Sequence, residues 1–123
     1  MDGKNLKYPD KSFDCVIMLG GTFMNLFPFE VDVLKESYRV LKENGICYFS
    51  LAKKEAKHFH EHFYRANDLE ILKSTENFVE LKSGLVSRRY DEEELEDILA
   101  KAHIKDYEIK ELNRHINTVK IYK

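Results

Sequence analysis

Several residues in this 123-residue chain have types and spacings that bear on chemistry. Gly20-Gly21 directly follow the apolar run Phe13 to Leu19, and small residues at the end of such a run let backbone approach a ligand closely. A plain turn is the simpler alternative. His58, His60 and His62 fall in a segment of helical character, where the first and last stand one turn apart and can share a metal ion. No Cys or clear acid ligand completes that set, so a polar helix face is the favoured reading. Cys15 and Cys47 sit inside apolar runs and read as small core residues of neighbouring strands, without a His partner to make either a nucleophile. Arg88-Arg89 suit the neutralisation of an anionic substrate or, more plainly, a solvated strand end. Phe23, Phe27 and Phe29 suit a pocket wall or simple core packing. Asp10 and Asp14 read as turn and strand-start residues.

The elements that position these residues follow from apolar periodicity. Phe13 to Leu19 is apolar at nearly every position, the pattern of a strand buried on both faces, as in a parallel sheet. Val31, Leu34, Tyr38 and Leu41 give a helix over 31–42, ended by Asn44-Gly45. A second buried strand runs from Ile46 to Leu51. Asp91-Glu-Glu-Glu94 has the form of a capping box, and Leu95, Ile98, Leu99 and Ala102 mark one face of the helix after it. Asp106 to Leu112 and Ile116 to Tyr122 read as a terminal antiparallel pair. Between Ala52 and Tyr90 the pattern is weaker: a helix over 53–67 with Phe59 and Phe63 on one face, then a hairpin of Phe78 to Leu81 with Val86 to Tyr90.

Composition bounds the class of protein. With 43% hydrophobic residues, eight Phe and seven Tyr, the chain can build a sizeable core and reads as one domain. Twenty basic and 22 acidic side chains leave a net charge of -2, too weak a field to attract nucleic acid. No apolar stretch is long enough to span a membrane and no signal-peptide pattern is present, so a cytoplasmic setting is expected.

Read in order, these segments resemble the carboxyl-terminal half of the class I S-adenosylmethionine-dependent methyltransferases. Asp2 to Asp14, an acid and a Gly followed by Leu6 and Pro9-Asp-Lys-Ser-Phe-Asp14, is similar to the family segment that leads into the fourth strand. Glu36-Ser-Tyr-Arg-Val-Leu-Lys42 with Glu43-Asn-Gly45 resembles the "RVLKPGG" stretch before the fifth strand, with Asn44 in place of a Gly and Glu43 in place of a Pro. Tyr90 to Ile104 resembles the last helix and the "AGF" that ends it, with His103 standing where Gly is usual. The resemblance covers about three quarters of the chain and leaves out Ala52 to Tyr90; the specificity lies in the order and spacing of the motifs.

The resemblance implies an α/β fold: half of a Rossmann-like sheet, strands four to seven with the last antiparallel, and flanking helices. Residues 1–123 would form a single partial domain, with 52–90 a variable, substrate-side region. It implies S-adenosylmethionine as cofactor, with Asp2 accepting from the adenine amino group and the Gly3 amide meeting the ring. Leu19, Gly20 and Gly21 would lie against the methionine part, and Thr22, Phe23 and Asn25 would border the substrate. It assigns no catalytic residue and no metal. The family's Gly-rich turn and ribose-binding acid are not among these 123 residues. Little or no methyl transfer by this polypeptide alone is therefore expected, since proximity is worth ~7–11 kcal/mol in such a reaction. The run Phe13 to Leu19 would be an open edge, covered by a second copy or a partner chain. A non-catalytic dimerisation or binding subunit is the alternative function. The residues after the fourth strand do not read Asn/Asp-Pro-Pro-Tyr/Phe, which argues against methylation of base amino groups.

Overall fold

The computed structural model describes residues 2–123. In chain order the elements are β1 (Phe13–Met18), α1 (Glu30–Val40), β2 (Leu41–Ala52), α2 (Lys57–Ala66), β3 (Ile71–Ser74), β4 (Phe78–Leu81), β5 (Val86–Arg88), α3 (Glu92–Lys101), β6 (Tyr107–Glu111) and β7 (Ile116–Tyr122). Single 3-10 turns, Phe23–Asn25 and Lys54–Ala56, precede α1 and α2. The main sheet has the order β1-β2-β7-β6, with β1 parallel to β2 and β7 antiparallel to both neighbours. This is the expected half sheet with an antiparallel last strand. A second sheet, β3-β4-β5, is wholly antiparallel. It contains the expected hairpin and adds β3, whose four residues, Ile71 to Ser74, are too short to carry a strand pattern.

Side chains alternate across the main sheet. One face presents Val16 and Met18 of β1, Cys47, Phe49 and Leu51 of β2, and Val119 and Ile121 of β7. These pack with Val33 and Leu34 of α1 and Leu95 and Leu99 of α3 into one core. The rows on the other face, such as Ile17, Tyr48, Lys120 and Glu108, lie opposite one another across the strands. Ile17 is 58% exposed. β1 is therefore buried on one face and not on both, because it is an edge strand and neither α1 nor α3 packs on its outer side. For the same reason Cys15 is exposed, against its expected place in the core, while Cys47 is buried. Burial pushes the Cys47 thiol up to about 12, helped by the neighbouring Cys15.

α1 stops earlier than its apolar spacing implies. Val40 is its last residue and Leu41 is already extended. Asn44, at φ 67°, makes a left-handed turn within the first part of β2, so Asn44-Gly45 does not end the helix but re-aims the strand. Gly45 is needed there because a Cβ would lie 2.8 Å from the Lys42 carbonyl oxygen and 3.1 Å from that of Asp14. The carbonyls at the end of α1 are taken up from two directions: the Lys11 and Ser12 amides donate to the Arg39 and Val40 oxygens at 3.1 and 2.8 Å, and Lys123 Nζ donates to the Tyr38 and Leu41 oxygens at 2.8 Å each.

Arg39, in the last turn of α1, anchors the chain before β1. Its guanidinium donates to both Glu36 carboxylate oxygens at 2.8 and 2.9 Å, to Asp10 at 2.7 Å, and to the carbonyls of Tyr8 and Leu6 at 2.9 and 3.0 Å. Glu36 in turn accepts from the Leu6 amide at 2.8 Å. The paired guanidinium and the Leu6 amide hold the Glu36 carboxyl below its ordinary range. The segment 2–12 is thereby laid along α1, and its first residues reach the amino-terminal turn of that helix.

Candidate active site at the strand carboxyl ends

β1 and β2 point their carboxyl ends into a cleft of about 310 Å³ bounded by Gly20, Gly21, Met24, Leu51, Phe59, Phe63 and Ile116. In α/β sheets ligands gather at this end of the strands. Gly20 is left-handed at φ 63° with open space where a Cβ would stand, so the turn requires glycine and leaves its backbone accessible. Thr22 closes the turn, its hydroxyl donating to the Leu19 carbonyl at 2.8 Å. The Asn25 amide donates to the Gly21 carbonyl at 3.1 Å. The Asn25 side chain lies 3.7 Å from the Cβ position of Gly21, and Leu19 is 58% exposed.

Asp2 and Gly3 arrive at the same end by a separate route. Gly3 packs against Val33 in the first turns of α1, and the Lys4 ammonium stands 3.8 Å over the ring of Phe29, the residue that precedes the helix. The exposed Asp2 carboxylate accepts from the Lys4 amide at 2.9 Å and closes a local turn.

Phe23 departs from its expected substrate-side position. It is fully buried, stacked on Phe49 at 4.2 Å with Tyr90 at 5.3 Å, and presents no surface to a ligand. The plainer core reading holds for it. Arg88 and Arg89 are not a solvated strand end either. Adjacent strand residues face opposite ways, so Arg88 pairs with Glu94 above the rings of Phe27 and Tyr90, whereas Arg89 points into the protein and is fully buried.

Arg89 and one of the three His make a polar wall behind the cleft that the sequence reading did not assemble. Arg89 donates to His60 Nδ1 at 2.8 Å and to the Thr75 carbonyl at 2.5 Å, and His60 Nε2 lies 3.0 Å from the Ser87 hydroxyl. A guanidinium only donates, so Nδ1 carries no proton and Nε2 donates to Ser87. Burial, reinforced by the adjacent Arg89 charge, holds His60 down to about 4, and burial likewise lowers Arg89. His58 and His62 are exposed on the opposite side of α2, and no group of three metal-capable side chains occurs among the described residues. The signal for this split was present: residues two apart on a helix lie about 200° apart around its axis.

A second groove, of about 580 Å³, runs between the start of α1 and α3. Several of the charges that line it are paired within the protein. Glu94 accepts from Lys54 at 2.5 Å, from the Asp91 amide at 3.2 Å and from Arg88. Burial opposes the Glu94 charge, but these donors outweigh it and hold the carboxyl at about 2. Beside it, the fully buried Tyr90 hydroxyl donates to Glu30 at 2.5 Å; burial first, then that bond, keeps the phenol protonated far above its ordinary range.

The first 49 residues match the family model of a methyltransferase domain. No curated protein sequence matches. Among solved structures, a SAM-dependent methyltransferase from Methanosarcina mazei superposes with a TM-score of 0.67 at 21% identity, over 100% of this chain and 65% of that one. The fold is that of the S-adenosylmethionine-dependent methyltransferases. A methyltransferase from Aquifex aeolicus gives 0.61 at 19% identity over 99% of this chain and 52% of its own. The Burkholderia thailandensis 1,6-didemethyltoxoflavin-N1-methyltransferase, solved with 1,6-didemethyltoxoflavin and S-adenosylhomocysteine, gives 0.69 at 15% identity, over 100% and 48%. The 123 residues thus span about half to two-thirds of each methyltransferase chain. In this fold β1, β2, β6 and β7 take the places of strands four to seven.

Proposed function

We propose that this chain forms the adenine-side and acceptor-side portion of an S-adenosylmethionine-dependent methyltransferase site. One observation carries the reading: the glycine turn after β1, the Asp2-Gly3 turn and an apolar cleft all lie at the carboxyl end of two parallel strands. When bound, the cofactor supplies an electrophilic methyl group on a sulfonium. Asp2 then accepts from the adenine amino group and the Gly3 amide faces the ring, while Leu19, Gly20 and Gly21 flank the methionine part. Thr22 and Asn25 hold the turn that borders the acceptor. The chemistry of this donor set fits one flank of the cofactor: an exposed carboxylate, open backbone at a left-handed glycine, and no cation in the cleft to repel the sulfonium. Residues 1–123 act as a single partial domain and 52–90, which supplies α2 and the small sheet, as its acceptor-side variable region.

The isolated 123 residues carry out little methyl transfer on this reading, because they hold the nucleophile's side of the reaction better than the methyl donor's. Calorimetric titration with S-adenosylmethionine tests it. Saturable binding, weakened by Gly20→Val, is the expected result; no saturable heat overturns it.

The exposed outer edge and face of β1 favour a second reading, a binding subunit that pairs through β1. Ile17 and Leu19 are each 58% exposed along that strand and its end, and an unpaired apolar edge promotes association. A second copy or a partner chain covers it. The exposed Cys15 thiol suits a reducing cytoplasm. No helix among the described residues is long and apolar enough to cross a membrane.

A further inference from the structure

The cleft at the ends of β1 and β2 is unlike the molecule's other hollows in one respect. The α1–α3 groove and the depressions beside β6 are lined by Glu, Asp and Lys, whereas no carboxylate, ammonium or guanidinium lines this one. Its walls are rings and apolar side chains, with Ser50 the one aliphatic hydroxyl among them. Phe59, 57% exposed, lies parallel to the His115 ring at 5.5 Å, and Phe63, 54% exposed, meets Tyr64 edge-on at 5.3 Å. The Met24 sulfur on the opposite wall accepts from the Ala52 amide at 3.2 Å, which fixes that side chain. His60 supplies no free polar atom, since Arg89 occupies Nδ1 and Ser87 occupies Nε2.

A ligand entering this cleft meets two exposed aromatic surfaces on one side and backbone at Gly20-Gly21 on the other. An anionic ligand would lose hydration without gaining a counter-charge, a cost that apolar contact does not offset. The volume, about 310 Å³, is at the lower end for small-molecule sites and too small for a helix or a protein loop. We infer that the cleft takes a flat aromatic molecule of about two fused rings and no negative charge, held between the Phe59 and Phe63 rings and the Gly20-Gly21 backbone. The inference rests on the methyltransferase reading only in naming this ligand as the acceptor; the binding itself does not require the cofactor.

Quinoline, neutral at pH 7.5, and N-methylquinolinium, of nearly the same shape with a fixed positive charge, separate shape from charge; naphthalene-2-carboxylate adds the anion. Titrated into the 123-residue chain and followed by nuclear magnetic resonance, quinoline is expected to saturate and to shift signals of Phe59, Phe63 and Gly21. Naphthalene-2-carboxylate should bind about tenfold more weakly or worse, whereas N-methylquinolinium, drawn to the faces of the exposed rings, should bind at least as well as quinoline. Phe63→Glu, at an exposed position, should abolish quinoline binding while leaving the circular dichroism spectrum and unfolding midpoint in place. Absence of saturable quinoline binding, or naphthalene-2-carboxylate that binds as well, overturns the inference. Should S-adenosylmethionine bind while quinoline does not, the cleft assignment fails alone. Should quinoline bind while the cofactor does not, the cleft assignment stands and the cofactor reading fails.

Discussion

His60 owes its chemistry to Arg89. Surrounded by the Arg89 guanidinium, the Ser87 hydroxyl and the nearby Glu61, it is a neutral hydrogen-bond relay and not a base or a metal ligand. Its folded value near 4 lies below the 6.5 of a free imidazole. Between those values the unfolded chain binds the extra proton, so stability falls as pH drops through that window, by about tenfold in the folded-to-unfolded ratio per pH unit. Glu94 behaves in the opposite chemical sense with the same direction: its carboxyl, held at about 2, contributes stability that is present above the ordinary carboxylate range and is lost as pH falls towards 2. Denaturant titrations at stepped pH should show a first loss between about 6.5 and 4 that His60→Phe removes, and a second below it that remains. A first loss unchanged in His60→Phe would refute the assignment. The sequence displayed His60 and Arg89 but not their meeting, because the two are 29 positions apart and each type is commonly exposed. Helical phase and strand alternation indicated only that His60 must part from His58 and His62, and Arg89 from Arg88.

At the scale of elements, α3 was the most legible. The capping box forms as written: Asp91 accepts from the Glu94 amide at 2.8 Å and Glu94 accepts from the Asp91 amide at 3.2 Å. The helix ends at Lys101 and the chain turns away at His103, which adopts φ 60° just where the family pattern places Gly. A side chain in this left-handed position is strained, whereas Gly is not. His103→Gly should therefore raise stability by about 1 kcal/mol, seen as a higher urea midpoint at unchanged slope; a lower midpoint would show that the exposed imidazole makes a contact worth more than the strain. α1 and β1 were less legible. Periodicity located α1 but not its end, since Leu41 continues the helical spacing while pairing with Phe13 as a strand residue. β1 reads as doubly buried because apolar runs report what a strand is suited to, not which neighbours cover it. The small sheet was half visible, its hairpin marked by Gly84 and its third strand too short to carry a pattern.

For the whole molecule, the decisive asymmetry is between the two edges of the main sheet. β6, at one edge, carries Glu108, Lys110 and Glu111, and such charges discourage further pairing. β1, at the other, carries Ile17 beside half-buried Tyr48 on the uncovered face, with no comparable guard. The pairing proposed through β1 would therefore be directional, adding beyond one side of the sheet. Light scattering of the 123-residue chain at micromolar concentration should give a mass of two chains, and Ile17→Lys should return it to one. A single-chain mass for the unaltered protein would remove the pairing reading and leave the methyltransferase one untouched.

Lys123 adds a mechanical consequence. Its ammonium closes the end of α1, the helix whose Arg39 straps down residues 6–10 and so governs how Asp2 and Gly3 are presented. Removing that ammonium, as Lys123→Ala would, loosens a lever whose far arm is the Asp2-Gly3 turn. The residue at 123 and the residue at 2 share no contact, yet they are two ends of one taut linkage.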